Sequence, residues 1–363
     1  MRVALLKARL TAQGGLEKYT HRIAAAFFQK GAEVTLLTTQ LPDSQASYQY
    51  HSMPLYPIPG FLQIEQFDRH VSAWLKKNPV DVIFGMDRNR RQTHLRAGNG
   101  IHAAYLKRRI AIEGRFKYWT CHLNPLHRKI LELEKTAFLY PELRKVFVNS
   151  YMVERELLEH YPIDAKKIVV IHNGVEWKER EKDFLALEKT DRNRLEFLFI
   201  GNGYRRKGLD VLLKALSIWK WRDFHLSIIG KDKRLSYYSN LSKKLGLAQH
   251  VHFYGPQKNV IPFYQNADVL VIPSFYDPFA NVTVEALAMG LFVISSKQNG
   301  GHEIITEQNG TLIEDLLDPE AILSALDRAL SFRKTKETGI RIRASIETLD
   351  FSNQLSQLID HCG

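Results

Sequence analysis

Residues 195–216 read LEFLFIGNGYRRKGLDVLLKAL, and the succession of residue types in that stretch decides the fold. Residues 197–200 are an unbroken apolar run of the length expected for a strand covered on both faces. Glycines at 201, 203 and 208 then punctuate a turn, and residues 208–216 repeat apolar side chains at helical spacing. Strand, glycine turn and helix in that order are the building unit of an open α/β sheet.

The same rhythm extends outward. Buried strands are predicted at 226–229, 252–254, 269–272 and 292–295, with helices at 238–245 and 282–289. The first half carries strands at 3–6, 33–38, 82–84 and 146–149, with a helix at 16–29 and further helices between. The charged stretch 178–194 interrupts the pattern, so the boundary is expected between residues 168 and 195, near the turn His172-Asn173-Gly174. With 363 residues the chain exceeds what one core comfortably organises. Two α/β domains with parallel sheets are therefore predicted, at 1–170 and 171–345, followed by a segment 346–363 whose helix lies around residues 353–360. Sheets of this kind bind ligands outside the carboxyl ends of their strands, which predicts a ligand cleft there.

Composition narrows the setting. With 45% hydrophobic and 25% charged residues the chain is an ordinary globular protein. Its two cysteines, Cys121 and Cys362, stand far apart with no metal-binding spacing, which fits a reducing cytosol. The opening run is short and broken by Lys7 and Arg9, unlike a signal peptide, and no apolar run is long enough to span a bilayer. Any meeting with a membrane is expected from the cytoplasmic face. The net charge of +12 concentrates anions, so nucleic acid, anionic lipid and phosphorylated substrates all qualify as partners.

Three segments carry chemistry. Gly14-Gly15 follows the first strand and precedes a helix, where backbone amides can approach a phosphate, although an isolated Gly-Gly reads equally as a turn. Gly201-Asn202-Gly203-Tyr204-Arg205-Arg206-Lys207-Gly208 sits at a strand's carboxyl end. There the Arg206 fork and the Lys207 point charge can neutralise a diphosphate. Asp277-Pro278-Phe279-Ala280-Asn281-Val282-Thr283-Val284-Glu285 is the most specific. It sets a carboxylate in a loop, amides at a helix start, and a second carboxylate about two turns into that helix. Taken singly, Asp277 reads as a helix cap and Glu285 as a solvated residue. The following Ala286-Leu287-Ala288 instead puts Glu285 on a packed helix, where an unpaired charge is costly.

With these motifs in this order, the chain resembles the retaining GT-B glycosyltransferases of family 4 over nearly its whole length. The family's E-x7-E pattern is matched by Asp277 to Glu285 with an aspartate first, its R-K-G site by Arg206-Lys207-Gly208, and its opening glycine loop by Gly14-Gly15. Ile171-His172-Asn173-Gly174-Val175 and Gly230-Lys231-Asp232 are similar to further family segments. Gly14-Gly15-Leu16, Arg206-Lys207-Gly208-Leu209-Asp210 and Arg96-Ala97-Gly98-Asn99-Gly100-Ile101-His102-Ala103-Ala104-Tyr105-Leu106 look most like the lipopolysaccharide core glucosyltransferases that act on heptose.

The resemblance implies two Rossmann-like domains facing a central cleft. The first would hold the acceptor, the second would hold a nucleotide sugar, and the last helix would cross back to the first. It implies a UDP-sugar donor, UDP-glucose foremost, and an envelope glycolipid acceptor. Within that reading Glu285 binds the ribose, Asp277 orients the donor sugar, and Arg206 with Lys207 stabilises the departing diphosphate. Gly14, Gly15, Asn173, Gly203, Phe279, Ala280, Asn281 and Val282 complete the donor site, and His102 lies close to the reacting sugar. The aspartate at 277 is one methylene shorter than the family's glutamate, which bears on sugar preference. Retention at the anomeric carbon is expected, by same-face return or through a covalent intermediate. No Asp-x-Asp motif occurs, so the protein's own cations are expected to replace a metal ion, with no cofactor.

Lys107, Arg108, Arg109, Arg115, Lys117, Arg128 and Lys129 occur with Tyr105, Phe116, Tyr118 and Trp119 against a single acid, Glu113. Together with Arg96, they suit an anionic bilayer surface or a phosphorylated lipid acceptor. A solvated basic helix would carry the same residues. Other readings fit less well. A nicotinamide dehydrogenase needs G-x-G-x-x-G after a strand, which is missing, and a nucleic-acid-binding protein has only the charge in its favour. A nucleotide-sugar epimerase would share the fold without a lipid acceptor.

Overall fold

The computed structural model describes residues 1–10, 15–40, 47–114, 123–186, 194–332 and 334–363. The chain divides into two compact units, Met1–Ile171 with Gln354–Gly363, and His172–Asn353.

Among the described residues the first unit is built on seven strands: β1 (Arg2–Leu6), β2 (Glu33–Thr38), β3 (Gln49–Ser52), β4 (Val82–Gly85), β5 (His94–Arg96), β6 (Lys145–Val148) and β7 (Ile168–Val170). All neighbours pair in parallel, in the order β3-β2-β1-β4-β5-β6-β7. The central strands are apolar throughout because helices cover both faces of a parallel sheet. Leu5, Leu6 and Phe84 are fully buried, each stabilising the fold by about 1.5–3 kcal/mol. Strand β3, Gln49-Tyr50-His51-Ser52, carries no apolar run because it lies at the sheet edge and stays mostly exposed. The last helix, Phe351–Asp360, buries Leu358 and Ile359, and Asp360 pairs with Lys30.

The second unit holds six strands among its described residues: β8 (Leu195–Ile200), β9 (Phe224–Ile229), β10 (Val251–Gly255), β11 (Val269–Ile272), β12 (Phe292–Ser296) and β13 (Gly310–Ile313). Their order is β10-β9-β8-β11-β12-β13, again all parallel. Both sheets thus reverse their winding once, between β1 and β4 in the first and between β8 and β11 in the second. The chain leaving the carboxyl ends of those strands is therefore where each unit opens to a ligand. No helix among the described residues is long and apolar enough to cross a membrane.

Candidate active site

In the second unit the loop after β8 is braced by the loop after β9. The Gly203 amide donates to the Lys231 carbonyl at 3.1 Å, the Lys231 amide to Asn202 Oδ1 at 2.7 Å, and the Tyr204 amide to Asp232 Oδ2 at 2.7 Å. This is the job of the Gly230-Lys231-Asp232 segment. The turn ends at Gly208, whose φ of +74° and whose closeness to the Pro273 carbonyl leave no room for a side chain: a Cβ would stand 1.8 Å from that oxygen. The basic turn is thereby pressed against the end of β11.

That closeness brings two sequence motifs, about 70 residues apart, into direct contact. Lys207 Nζ donates to Asp277 Oδ2 at 2.5 Å, and Arg206 Nη1 donates to the same oxygen at 3.1 Å and to the Tyr276 carbonyl at 2.8 Å. Lys207 and Asp277 are 7% and 8% exposed, so this ion pair is buried. Burial by itself pushes the Asp277 carboxyl up, but Lys207 and Arg206 together hold it below the usual aspartate range. The acid is therefore no helix cap; it serves as the counter-ion of the cations that were expected to meet a diphosphate.

The helix Asn281–Ala288 begins one residue before the expected 282, and Glu285, its fifth residue, stands about one turn into it rather than two. Glu285 is half-buried, and its Oε2 accepts a hydrogen bond from Tyr264 Oη at 2.7 Å. Tyr264 is buried, and burial first and the Glu285 charge second push its phenol well up, so it stays protonated and donating. The helix start is also more occupied than expected. The Ala280 amide donates to Asn299 Oδ1 at 2.9 Å and the Thr283 amide to the Ala280 carbonyl at 2.9 Å. The intrahelical ladder supplies no acceptor for the amides of Asn281 and Val282. Asn173 Nδ2 bonds Asn281 Oδ1 at 2.6 Å and the Phe279 carbonyl at 3.3 Å, fixing the approach to that turn. Asn299, which sequence reasoning missed, is fully buried and holds Ala280, Gly301, Thr283 and Ser295 together. The Asn299-Gly300-Gly301 run just after the strand at 292–295 was the available signal.

In the first unit Gly15 opens the helix Gly15–Gln29, while Gly14 and Trp119 lie outside the described residues. His102 opens the helix His102–Glu113. Beneath that helix start sits Glu134, a fully buried carboxylate absent from the sequence reading. It accepts from the amides of His102 (2.8 Å) and Ala103 (3.2 Å), from Tyr161 Oη (2.8 Å) and from Arg88 Nε (2.8 Å). An anion at a helix amino end is favourable, and Arg88 supplies the counter-charge. Burial first and Arg88 second push the His102 imidazole down to about 4, against the opposing pull of Glu134. The ring is therefore neutral at pH 7.

Where β1 and β4 end, Asp87 accepts from the buried Lys7 ammonium at 2.8 Å and from the Ala8 amide at 2.9 Å. Beside them lies a cavity of about 380 Å³ with Leu55, Phe67 and Ile130 among its walls and Arg9 and Arg88 contributing cations. The basic cluster between residues 107 and 129 is less bare than its linear count suggests. Lys107 pairs with Glu159 at 2.6 Å, Arg108 lies 4.0 Å from Glu156, Arg109 pairs with Glu113, and Lys129 reaches Glu132 at 2.6 Å and Glu65 at 3.1 Å. The count of one acid is thus corrected, because four further carboxylates come from other segments of the fold. Arg96 lies over the Tyr19 ring at 3.7 Å.

Comparison with known proteins agrees with this fold. A family model described as Glycosyl transferases group 1 matches residues 180–341, and one described as Glycosyltransferase Family 4 matches residues 13–178. The lipopolysaccharide glucosyltransferase WaaG of Escherichia coli K12 is 23% identical over 331 residues, covering 88% of this chain and 86% of that protein. A crystal structure of WaaG superposes with a TM-score of 0.79 at 21% identity over 99% of this chain and 98% of its own. An uncharacterized glycosyltransferase of Methanocaldococcus jannaschii is 30% identical over 200 residues, 52% of this chain and 51%, about half, of that protein's length. Anabaena HepE in complex with UDP-glucose superposes with a TM-score of 0.68 at 16% identity, covering 99% of this chain and 98% of that one. The two family models run in succession over two reversing parallel sheets, and on that ground the chain belongs to the GT-B glycosyltransferases of family 4.

Proposed function

We propose that the enzyme transfers a hexose, with retention, from a UDP-sugar, UDP-glucose foremost, to a lipopolysaccharide core or related envelope glycolipid. The observation that carries the reading is the Arg206–Lys207–Asp277 cluster where the second sheet reverses. A diphosphate arriving there draws the two cations away from Asp277. The freed carboxylate then accepts hydroxyls of the donor sugar, while Arg206 and Lys207 neutralise the leaving group. Cations held in place by the Gly208 turn act most on charge that grows as the sugar–phosphate bond breaks. They take the part that a metal ion would otherwise play, so no metal is invoked. Glu285 binds the ribose diol, with Tyr264 holding its other contact, and Asn281 and Val282 offer amides to the diphosphate.

The first unit presents the acceptor, and neutral His102 meets the reacting sugar as a hydrogen-bonding group. A glycolipid acceptor is favoured by the apolar cavity with cations beside it and by the likeness to WaaG. In this reading the protein works at the cytoplasmic face of the inner membrane as a peripheral enzyme. The test is thermal stabilisation by a panel of UDP-, GDP- and ADP-sugars. At one hundred times Kd the bound donor adds about 2.7 kcal/mol. UDP-sugars are expected to give the largest shift and Glu285→Ala to remove it; a panel led by another base would overturn the donor assignment.

A further inference from the structure

We propose that Arg109 and His127 are positioning residues that lock His102 in the tautomer carrying its proton on Nδ1. The two residues line up behind the ring: Arg109 Nη1 lies 3.4 Å from His127 Nε2, and His127 Nδ1 lies 3.1 Å from His102 Nε2. The direction of this chain follows from one fact, that a guanidinium donates and never accepts. His127 Nε2 must therefore offer its lone pair to Arg109. The proton of a neutral His127 then sits on Nδ1 and is donated to His102 Nε2. His102 Nε2 is then the acceptor of that bond, which leaves Nδ1–H as the proton-bearing atom of its neutral ring.

The scaffold is built for this. His102, Arg109 and Glu113 lie two and about three turns apart along one face of the helix His102–Glu113. Glu113 accepts from Arg109 Nε at 2.9 Å and from its Nη2, so the guanidinium is clamped from behind and Nη1 is aimed at His127. His127 comes from the neighbouring helix Pro125–Phe138. The low basicity of His102 agrees with a ring that works as a neutral group of fixed polarity. Arg109, counted from sequence among cations suited to a membrane, thus acquires an inward task. This inference rests on the reading that His102 meets the donor sugar: an N–H presented at Nδ1 suits a sugar hydroxyl oxygen or a developing phosphate charge, and the opposite tautomer would offer a lone pair instead.

The test is long-range 1H–15N correlation spectroscopy on the full chain labelled with 15N-histidine, with His102 assigned by comparison with His102→Gln. The expected result is an Nδ1–H ring at His102 in the ligand-free enzyme, retained in Arg109→Lys, which is still a pure donor. His127→Phe and Arg109→Met should each let the Nε2–H form appear, and transfer should slow by about tenfold in His127→Phe at unchanged KM for the donor. An Nε2–H ring in the unaltered enzyme, or spectra of His127→Phe identical to it, would overturn the proposal. Should a variant fail to fold, the unaltered enzyme's spectrum decides. A tautomer that moves without any loss of rate would uphold the chain and remove His102 from the reaction, separating this inference from the reading beneath it.

Discussion

Replacing Lys207 by Met leaves Asp277 in place but removes the nearer of its two cations. The Lys207 and Asp277 side chains are 9% and 11% exposed, so water cannot replace what is lost, whereas Arg206 stays 3.1 Å away with its side chain 34% exposed. Removing one partner of a buried pair costs about 3–5 kcal/mol, and the surviving Arg206 contact puts this case near about 3. For a unit of this size that corresponds to a fall in Tm of roughly 6–12 °C. The sign with pH is fixed by the direction of the Asp277 shift. Its folded-state pKa is lowered, so its contribution is fully present above the ordinary aspartate value and is lost as pH falls through the lower folded value. Differential scanning calorimetry should find Lys207→Met strongly destabilised at pH 7, with the gap to the unaltered protein closing below about pH 4. A gap that is independent of pH, or below about 0.5 kcal/mol at pH 7, would refute the buried ion pair as the organising contact.

Two further outcomes follow from the same geometry. Asp277→Asn keeps the shape of the loop and releases Arg206 and Lys207, so UDP should bind at least as tightly by calorimetric titration while the transfer rate falls by about a hundredfold; weakened UDP binding at undiminished rate would contradict the counter-ion role. Because Lys107, Arg108 and Arg109 already face carboxylates, sedimentation with vesicles should show a modest preference for anionic over neutral lipid, lost by about 0.15 M salt. Equal binding to both vesicle types would remove the electrostatic part of membrane attraction.

The second unit was the more legible half because its chemistry is contiguous. Arg206 and Lys207 stand in one loop, Asp277 stands in another with Glu285 on the helix that follows, and each loop comes after a buried apolar strand that sequence alone marks out. What the letters do not carry is which side chains meet. Lys207 and Asp277 pair only because Gly208 lets two loops close on each other, and that depends on a backbone angle. Glu134 looks like any helical acid between Leu133 and Lys135; its burial under the His102 helix appears only when the two helices pack. His127 was passed over for the same reason. The basic cluster was overcounted since Glu156 and Glu159 lie some fifty residues away in sequence, and strand β3 was missed because an exposed edge strand needs no apolar alternation. Ala280 showed the reverse error: its amide looked open for a phosphate, yet Asn299 takes it from across the sheet end.

The central claim is that Arg206 and Lys207 grip the diphosphate of the donor. Isothermal titration of UDP and of uridine against the unaltered enzyme and against Arg206→Ala/Lys207→Ala tests it most directly. Two charge-assisted contacts of about 1.5–3 kcal/mol each predict a loss of at least a hundredfold in UDP affinity, with uridine binding unchanged. Equal UDP affinity in both proteins would contradict the account.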